Sequence, residues 1–386
     1  MALDFSSKQT ALIRVDYNVP IKNNKILDLT RIEASLPTIK YLLQHKITVI
    51  LMSHLGRPKN VDMKYSLKIL IKPLEKLIGK KVYFSNKIDF KSMPLGSVGL
   101  LENLRFYPEE INNDPAFCKK LSKLGDVYIN DAFGASHRAH ASTYGIHKFF
   151  PNKKYKGLLL DLELNQINKL KKTNKSPYTI IVGGAKIGSK IHMLQSFLNT
   201  ADYILIGGGM AFPFIKYMGG EIGNSIFQEK ELKVVESFLT KAKNSNTKIL
   251  LPKDCVVTRD ITIKTDQKIV DIMSIPTQFM GVDIGPQTIN IFKEVIMNSK
   301  AIMWNGPMGV SEVSDFSHGT QSIANFIKQV TLSGAYSLIG GGDTVSDVSR
   351  LGLKQAFSYV STGGGAMLEF FKNENLPGIE NLKSIK

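Results

Sequence analysis

A short Val/Ile/Leu-rich run followed at once by a cluster of glycines recurs through the second half of this chain. Gly183-Gly184-Ala185-Lys186 follows the run Tyr178–Val182, Gly207-Gly208-Gly209 follows Tyr203–Ile206, and Asn305-Gly306-Pro307 follows Ala301–Trp304. Gly340-Gly341-Gly342-Asp343-Thr344 follows Tyr336–Ile339, and Ser361-Thr362-Gly363-Gly364-Gly365 follows Tyr359-Val360. A further apolar run, Lys248–Leu251, lies between them. Apolar runs this short, separated by helical patterns, predict strands of a parallel sheet covered on both faces. Turns that leave the carboxyl ends of such strands share one edge, and ligands bind there. Glycine lets backbone N–H groups approach an anion, and the next helix N-terminus adds its dipole. One such cluster reads equally well as a tight turn. Five in succession predict a phosphate-binding edge.

The first half repeats the alternation with different chemistry. The runs Ala11–Val15, Ile47–Met52, Val98–Leu101 and Asp126–Asn130 predict a second parallel sheet, but the residues at their ends are basic. They are Arg14-Val15-Asp16-Tyr17-Asn18, Ser53-His54-Leu55-Gly56-Arg57-Pro58, Glu102-Asn103-Leu104-Arg105, and Asp131 to His140 around Arg138. Guanidinium forks and imidazole donors suit a small polyanion. Arg14, beside Asp16, reads equally well as a structural ion-pair partner. His137 and His140 flank Arg138 and are candidates for substrate contact, whereas His45 and His147 sit on helix-like segments and read as structural.

The fold class expected is α/β, with two doubly wound domains. Gly157–Leu170 carries a helical apolar spacing, and Lys169–Ser176 is a polar, lysine-rich break. The boundaries expected are a first domain over 1–153, a linking helix over 154–175, a second domain over 176–372, and a tail over 373–386.

Charge narrows the partner. Lys and Arg number 50 against 33 Asp and Glu, net +17 in 386 residues. Such an excess suits nucleic acid, an anionic membrane or phosphorylated small molecules. The basic clusters lack the interleaved aromatics of a nucleic-acid groove. No apolar run approaches the roughly 20 residues of a membrane span, and the N-terminus has no signal-peptide core, so a cytoplasmic protein is expected. Cys118 and Cys255 make no disulfide framework and no zinc motif. Standard nucleotide fingerprints are missing too. Gly183–Lys190 reads GGAKIGSK and does not complete a P-loop, no G-x-G-x-x-G occurs, and the protein-kinase loops are absent.

The motifs together resemble the phosphoglycerate kinase family from end to end. They are RVDYNVP at 14–20, SHLGRP at 53–58, LLENLRF at 100–106, NDAFGASHRAH at 130–140, GGAK at 183–186, IGGGMAF at 206–212, DIGP at 283–286, WNGPMGV at 304–310, GGGDT at 340–344 and STGGGA at 361–366. The resemblance implies two Rossmann-like domains joined by a helical hinge that closes, with the tail 376–386 returning to the first domain. It implies reversible phosphoryl transfer between 1,3-bisphosphoglycerate and Mg-ADP, giving 3-phosphoglycerate and Mg-ATP, by a cytoplasmic monomer that needs neither nucleic acid nor membrane. Carried over by motif, the glycerate side is Asp16, Tyr17, Asn18, Arg31, His54, Leu55, Gly56, Arg57, Arg105 and Arg138. The nucleotide side is Gly183, Lys186, Lys190, Gly208, Gly281, Asn305, Glu312, Gly341, Gly342, Asp343 and Thr344. Glu312 is implied at the ribose and Asp343 at Mg²⁺, while Arg31, Lys190, Gly364 and Gly365 are implied at the transferring phosphoryl group. Two departures bear on the nucleotide side: Ser311 stands where an aromatic residue is common, and Gly188-Ser189 where a small residue and Asp are usual. Two rival expectations are a basic polyanion-binding protein and a non-catalytic homologue. The second would show as loss of Arg31, Lys190 or Asp343, and all three are present.

Overall fold

The computed structural model describes residues 9–90, 93–188, 190–262, 266–373 and 375–385. Ser189 and the last tail residue, Lys386, lie outside them. The chain divides into two compact units, Met1–Asn165 with Asn373–Lys386, and Gln166–Lys372. The division falls inside the helix Leu158–Lys171, one residue displaced from the expected Gly157–Leu170.

The first unit is built on one wholly parallel sheet. Its strands are β1 (Thr10–Val15), β2 (Thr48–Met52), β3 (Val82–Ser85), β4 (Val98–Leu101), β5 (Val127–Asp131) and β6 (Lys154–Lys156). Their spatial order is β6-β5-β1-β2-β4-β3, with the tail strand Lys383–Ser384 added beside β6. β1, β2, β4 and β5 are buried along nearly their whole length, which is why they read as unbroken apolar runs. β3 and β6 escaped that reading because they are only partly buried, and β6 reads Lys-Tyr-Lys. Asn130 Nδ2 donates to the Gly378 carbonyl at 2.6 Å, tying the tail to the end of β5.

The second unit carries a wholly parallel sheet of β7 (Tyr178–Val182), β8 (Tyr203–Ile206), β9 (Lys248–Leu250), β10 (Ala301–Asn305), β11 (Tyr336–Gly340) and β12 (Tyr359–Val360), in the order β9-β8-β7-β10-β11-β12. Ile181, Ile302, Trp304 and Ile339 form the core of one face together with the helices Pro286–Asn298 and His318–Leu332. An additional antiparallel sheet of Asp254–Thr258, Lys268–Asp271 and Met280–Ile284 was not anticipated. Its edge strand Lys268–Asp271 is mostly exposed and half charged, so no apolar signal marks it.

Candidate active site

At the carboxyl edge of the second unit, Asn305 pairs with Val182 on one side and Gly340 on the other. Gly183, Gly306 and Gly341 therefore leave the sheet at the same level. The turns are bonded to one another. The Gly184 N–H donates to the Pro307 carbonyl at 2.7 Å, and the Gly208 N–H to the Met308 carbonyl at 3.1 Å. Glycine is required at 306, where φ is +103° and a Cβ would lie 2.2 Å from the Gly183 oxygen and 2.5 Å from Lys190 Nζ. Gly341, at φ +98°, is the N-cap of the helix Gly342–Arg350, whose first N–H groups have no side-chain cap. Such orphan donors are available to an anion. Gly364 opens the helix Gly364–Lys372 against the same spot, where a Cβ would lie 2.5 Å from Gly341 Cα.

Lys190 Nζ donates to the Gly183 carbonyl at 2.6 Å and to the Asn305 carbonyl at 3.3 Å. Burial lowers its pKa to about 8, with the Asp343 carboxylate opposing. Asn305 Nδ2 is buried and has no hydrogen-bond partner among the described residues, and a side chain at Gly341 would come within 3.1 Å of it. A buried unmet donor beside an uncapped helix start is what an anionic oxygen would satisfy. Thr344 Oγ1 accepts the Gly306 N–H at 2.7 Å, so its oxygen braces the turn.

Beside these turns lies a cavity of about 390 Å³, walled by Gly208, Phe212, Gly281 and Met308 and reached by Glu312 and Asp343. Gly281 fits because a Cβ there would lie 2.4 Å from the Phe212 ring. Lys186 is exposed at the first turn. Ser311 is buried: its hydroxyl donates to Asp347 Oδ2 at 2.7 Å, and its carbonyl accepts Arg350 Nη2 at 2.5 Å. The serine thus fastens the segment carrying Glu312 to the helix carrying Asp343. Asp347, Arg350 and Asp283 were not singled out from sequence. Asp283 also lines the cavity and caps the helix His318–Leu332, accepting the Gly319 N–H at 2.8 Å, and burial pushes its pKa up to about 7.

The carboxyl edge of the first unit gathers guanidiniums. Arg31, on the first turn of the helix Thr30–Gln44, donates from Nη1 to Asp16 Oδ1 at 3.3 Å and to the Asn18 carbonyl at 2.9 Å. Asn18 Oδ1 accepts the Gly56 N–H at 2.8 Å. Arg105 donates from Nη1 to the Gly56 carbonyl. Burial, with Arg138 and Arg14 nearby, lowers its pKa to about 10. Arg57, Arg105, Arg138 and His140 line one cavity of about 560 Å³. His140 Nδ1 approaches Glu110 Oε1 at 4.0 Å, yet burial and the positive charge of Arg105, Arg14 and Arg138 hold its pKa down at about 4. It is neutral at pH 7, so the contact is not an ion pair. Two residues point elsewhere. The Tyr17 hydroxyl lies 3.0 Å from Ser35 Oγ in the core, and the Leu55 side chain is core as well. Only their backbones can face a ligand. Asn103, missed from sequence, holds the loop that carries His54 and Arg57: Oδ1 accepts the Leu55 N–H and Nδ2 donates to the Leu55 carbonyl.

One unit with guanidiniums at the end of a parallel sheet, and another with glycine turns and uncapped helix starts at the end of a second, define a class: α/β proteins that bind phosphorylated small molecules. Comparison with known proteins narrows the class. The family model for phosphoglycerate kinase matches residues 2–374, and the chain belongs to that family. It is 44% identical over 379 residues to the cytosolic phosphoglycerate kinase 3 of Arabidopsis thaliana, covering 96% of this chain and 94% of that one. It is 43% identical over 394 residues to the phosphoglycerate kinase of Pseudothermotoga lettingae, covering 100% and 98%. The solved structure of phosphoglycerate kinase from Coxiella burnetii superposes with a TM-score of 0.83 at 34% identity, covering 97% of this chain and 95% of that one.

Proposed function

We propose that this member of the phosphoglycerate kinase family catalyses reversible phosphoryl transfer between 1,3-bisphosphoglycerate and ADP, yielding 3-phosphoglycerate and ATP in glycolysis, and that the two edges described above divide the substrates. Arg31, Arg57, Arg105, Arg138, His54, Asp16 and Asn18 take the glycerate. Gly183, Gly208, Gly281, Asn305, Glu312, Gly341, Gly342, Asp343, Thr344, Lys186 and Lys190 take the nucleotide. The observation that carries the reading is the buried, unmet amide of Asn305 beside the uncapped start of Gly342–Arg350, with Lys190 held at the same turn.

The chemistry fits such a site. The acceptor is a carboxylate, already ionised at pH 7, so no general base is required. Catalysis then rests on alignment and on neutralising charge in a loose transition state. Arg31 and Lys190 supply cations to the transferring group, and the Gly363–Gly365 turn supplies backbone N–H donors. These residues belong to separate units, so transfer requires the units to close on their substrates.

Mg²⁺ belongs to the nucleotide in this reading, and Asp343 is the residue that fits it. The carboxylate is exposed on the first turn of its helix. A hard cation held by one carboxylate and substrate phosphates needs no protein cage. When bound, the ion offsets phosphate charge. We place the protein in the cytoplasm as a monomer, as the family resemblance implies and in keeping with its cytosolic relatives. No helix among the described residues is long and apolar enough to cross a membrane. The test is ATP consumption by the folded protein with Mg²⁺ present and hydroxylamine added to trap the acyl phosphate. It should depend on added 3-phosphoglycerate, and consumption independent of that acid would contradict the proposal.

A further inference from the structure

Beneath the guanidinium edge of the first unit runs a buried polar chain that the transfer reaction leaves unexplained. It begins at Glu110, which has no exposed surface. Glu110 Oε2 accepts the Ser142 backbone N–H at 2.9 Å, and Oε1 accepts the Ser142 hydroxyl at 2.6 Å. Having donated its proton to Glu110, Ser142 Oγ accepts Arg14 Nε–H at 2.8 Å. Arg14 Nη1 donates to the Val15 carbonyl, and Nη2 lies 3.0 Å from His54 Nδ1. Arg14, Ser142 and His54 are all buried. The chain therefore has one direction: the guanidinium of Arg14 can only donate, so Ser142 Oγ accepts there and turns its own O–H to Glu110.

The last link decides the state of His54. A guanidinium has donors only. At 3.0 Å from Arg14 Nη2, His54 Nδ1 must accept, so it carries no proton. The Nδ1–H tautomer and the imidazolium would each set N–H against N–H in a buried contact. A neutral ring then bears its proton on Nε2, the nitrogen turned away from Arg14. Burial and the charges of Arg14, Arg105, Arg138 and Arg31 act the same way, holding the His54 pKa well below the ordinary value.

We propose that Arg14 is a positioning residue, backed by Ser142 and Glu110, that locks His54 in the neutral Nε2–H tautomer, so that this ring presents one fixed N–H donor to an anionic oxygen of the three-carbon acid and takes no part in proton transfer. The ligand half of this statement rests on the function proposed above; the tautomer half does not. Fixing the donor before substrate arrives removes the cost of selecting one tautomer and ring orientation on binding.

Two-bond ¹H–¹⁵N spectra of the full chain labelled at histidine distinguish a bare ring nitrogen from a protonated one, with His54 assigned by its loss in His54→Gln. The expected result, without ligand and between about pH 5 and 8, is a neutral His54 with bare Nδ1, unchanged when 3-phosphoglycerate is added. An imidazolium or an Nδ1–H tautomer anywhere in that range overturns the proposal. Ser142→Ala removes the hydroxyl that orients Arg14. It should mix the two tautomers and raise KM for 3-phosphoglycerate by about three- to tenfold, with kcat and KM for ATP nearly unchanged. An unaltered tautomer in that variant would show that Arg14 needs no such support and would refute the chain as a positioning device. A locked tautomer in a protein that transfers no phosphoryl group would leave the Arg14 assignment standing and overturn the proposed function alone.

Discussion

Lys190 Nζ lies 2.6 Å from the carbonyl oxygen of Gly183, so the side chain folds back over the turn that precedes its own helix. Its position is set by backbone carbonyls. The ammonium has lost solvent and gained one distant carboxylate, Asp343, and the balance lowers its pKa to about 8. In the free enzyme, kcat/KM should therefore fall as pH rises through about 8, because the cation that meets the transferring group is lost. The log of kcat/KM plotted against pH checks this, and a profile flat to pH 10 would contradict the lowered Lys190 pKa.

The same turn makes a conformational prediction. Gly306→Ala places a methyl group 2.2 Å from the Gly183 oxygen, at a φ that L-residues rarely adopt. Lys190 must move. KM for ATP should rise about tenfold or more, while calorimetric affinity for 3-phosphoglycerate stays at the wild-type value. Equal loss of both affinities would contradict the division of substrates between the two units.

Arg31→Lys keeps the charge and removes the fork. In the native chain Nη1 is occupied by Asp16 and Asn18, while Nη2 has no partner among the described residues. A lysine can hold Asp16 or meet the substrate, but not both in one rigid plane. kcat should fall by about 10²- to 10³-fold, with far-UV and near-UV circular dichroism unchanged. A near-wild-type kcat would remove the fork argument.

Asp131 carries a pH-dependent share of stability. Its Oδ1 accepts the N–H groups of Leu159 (3.0 Å) and Leu160 (3.2 Å) at the start of the helix Leu158–Lys171. Burial pushes its pKa up from 3.8 to about 7. The folded state thus holds the proton more tightly than the unfolded chain does. The resulting stabilisation is complete below about pH 4 and disappears as pH rises through about 7. Asp131→Asn keeps the accepting oxygen, and the fall in urea midpoint between those two pH values should become shallower. Asp283, raised in the same direction, should leave a residual slope.

Tyr178 buries a hydroxyl that has no partner among the described residues, with its ring packed edge-on against Phe197. Tyr178→Phe removes an unpaired polar atom and keeps the ring. Stability should rise by about 1 kcal/mol, read as a higher urea midpoint, and a loss of similar size would reveal a partner for the hydroxyl.

Much of this was legible in the sequence because the signals are local. A parallel strand buried on both faces must read as an apolar run, and a turn that bends at positive φ against its neighbour must be glycine, as at Gly306 and Gly341. Contacts made only by the folded chain left no local mark. Ser311 meets Asp347 across 36 positions and Asn103 meets Leu55 across 48, and nothing in their immediate sequence announces it. Arg14 was ambiguous for a related reason: its neighbour in sequence is Asp16, but its partners in space are Ser142 and His54. Tyr17 and Leu55 sit inside ligand-facing motifs while their side chains belong to the core, since successive residues of an extended segment point to opposite sides.

A phosphoryl group moves between the carboxylate of 3-phosphoglycerate and the β-phosphate of ADP, and ³¹P NMR sees both ends of that path. With the full chain, Mg²⁺, ADP and 1,3-bisphosphoglycerate in one sample, the acyl-phosphate resonance should disappear as the γ-phosphate resonance of ATP grows in, one for one. Acyl phosphate lost to inorganic phosphate without ATP, or an acyl-phosphate signal that persists beside folded protein, would contradict that transfer.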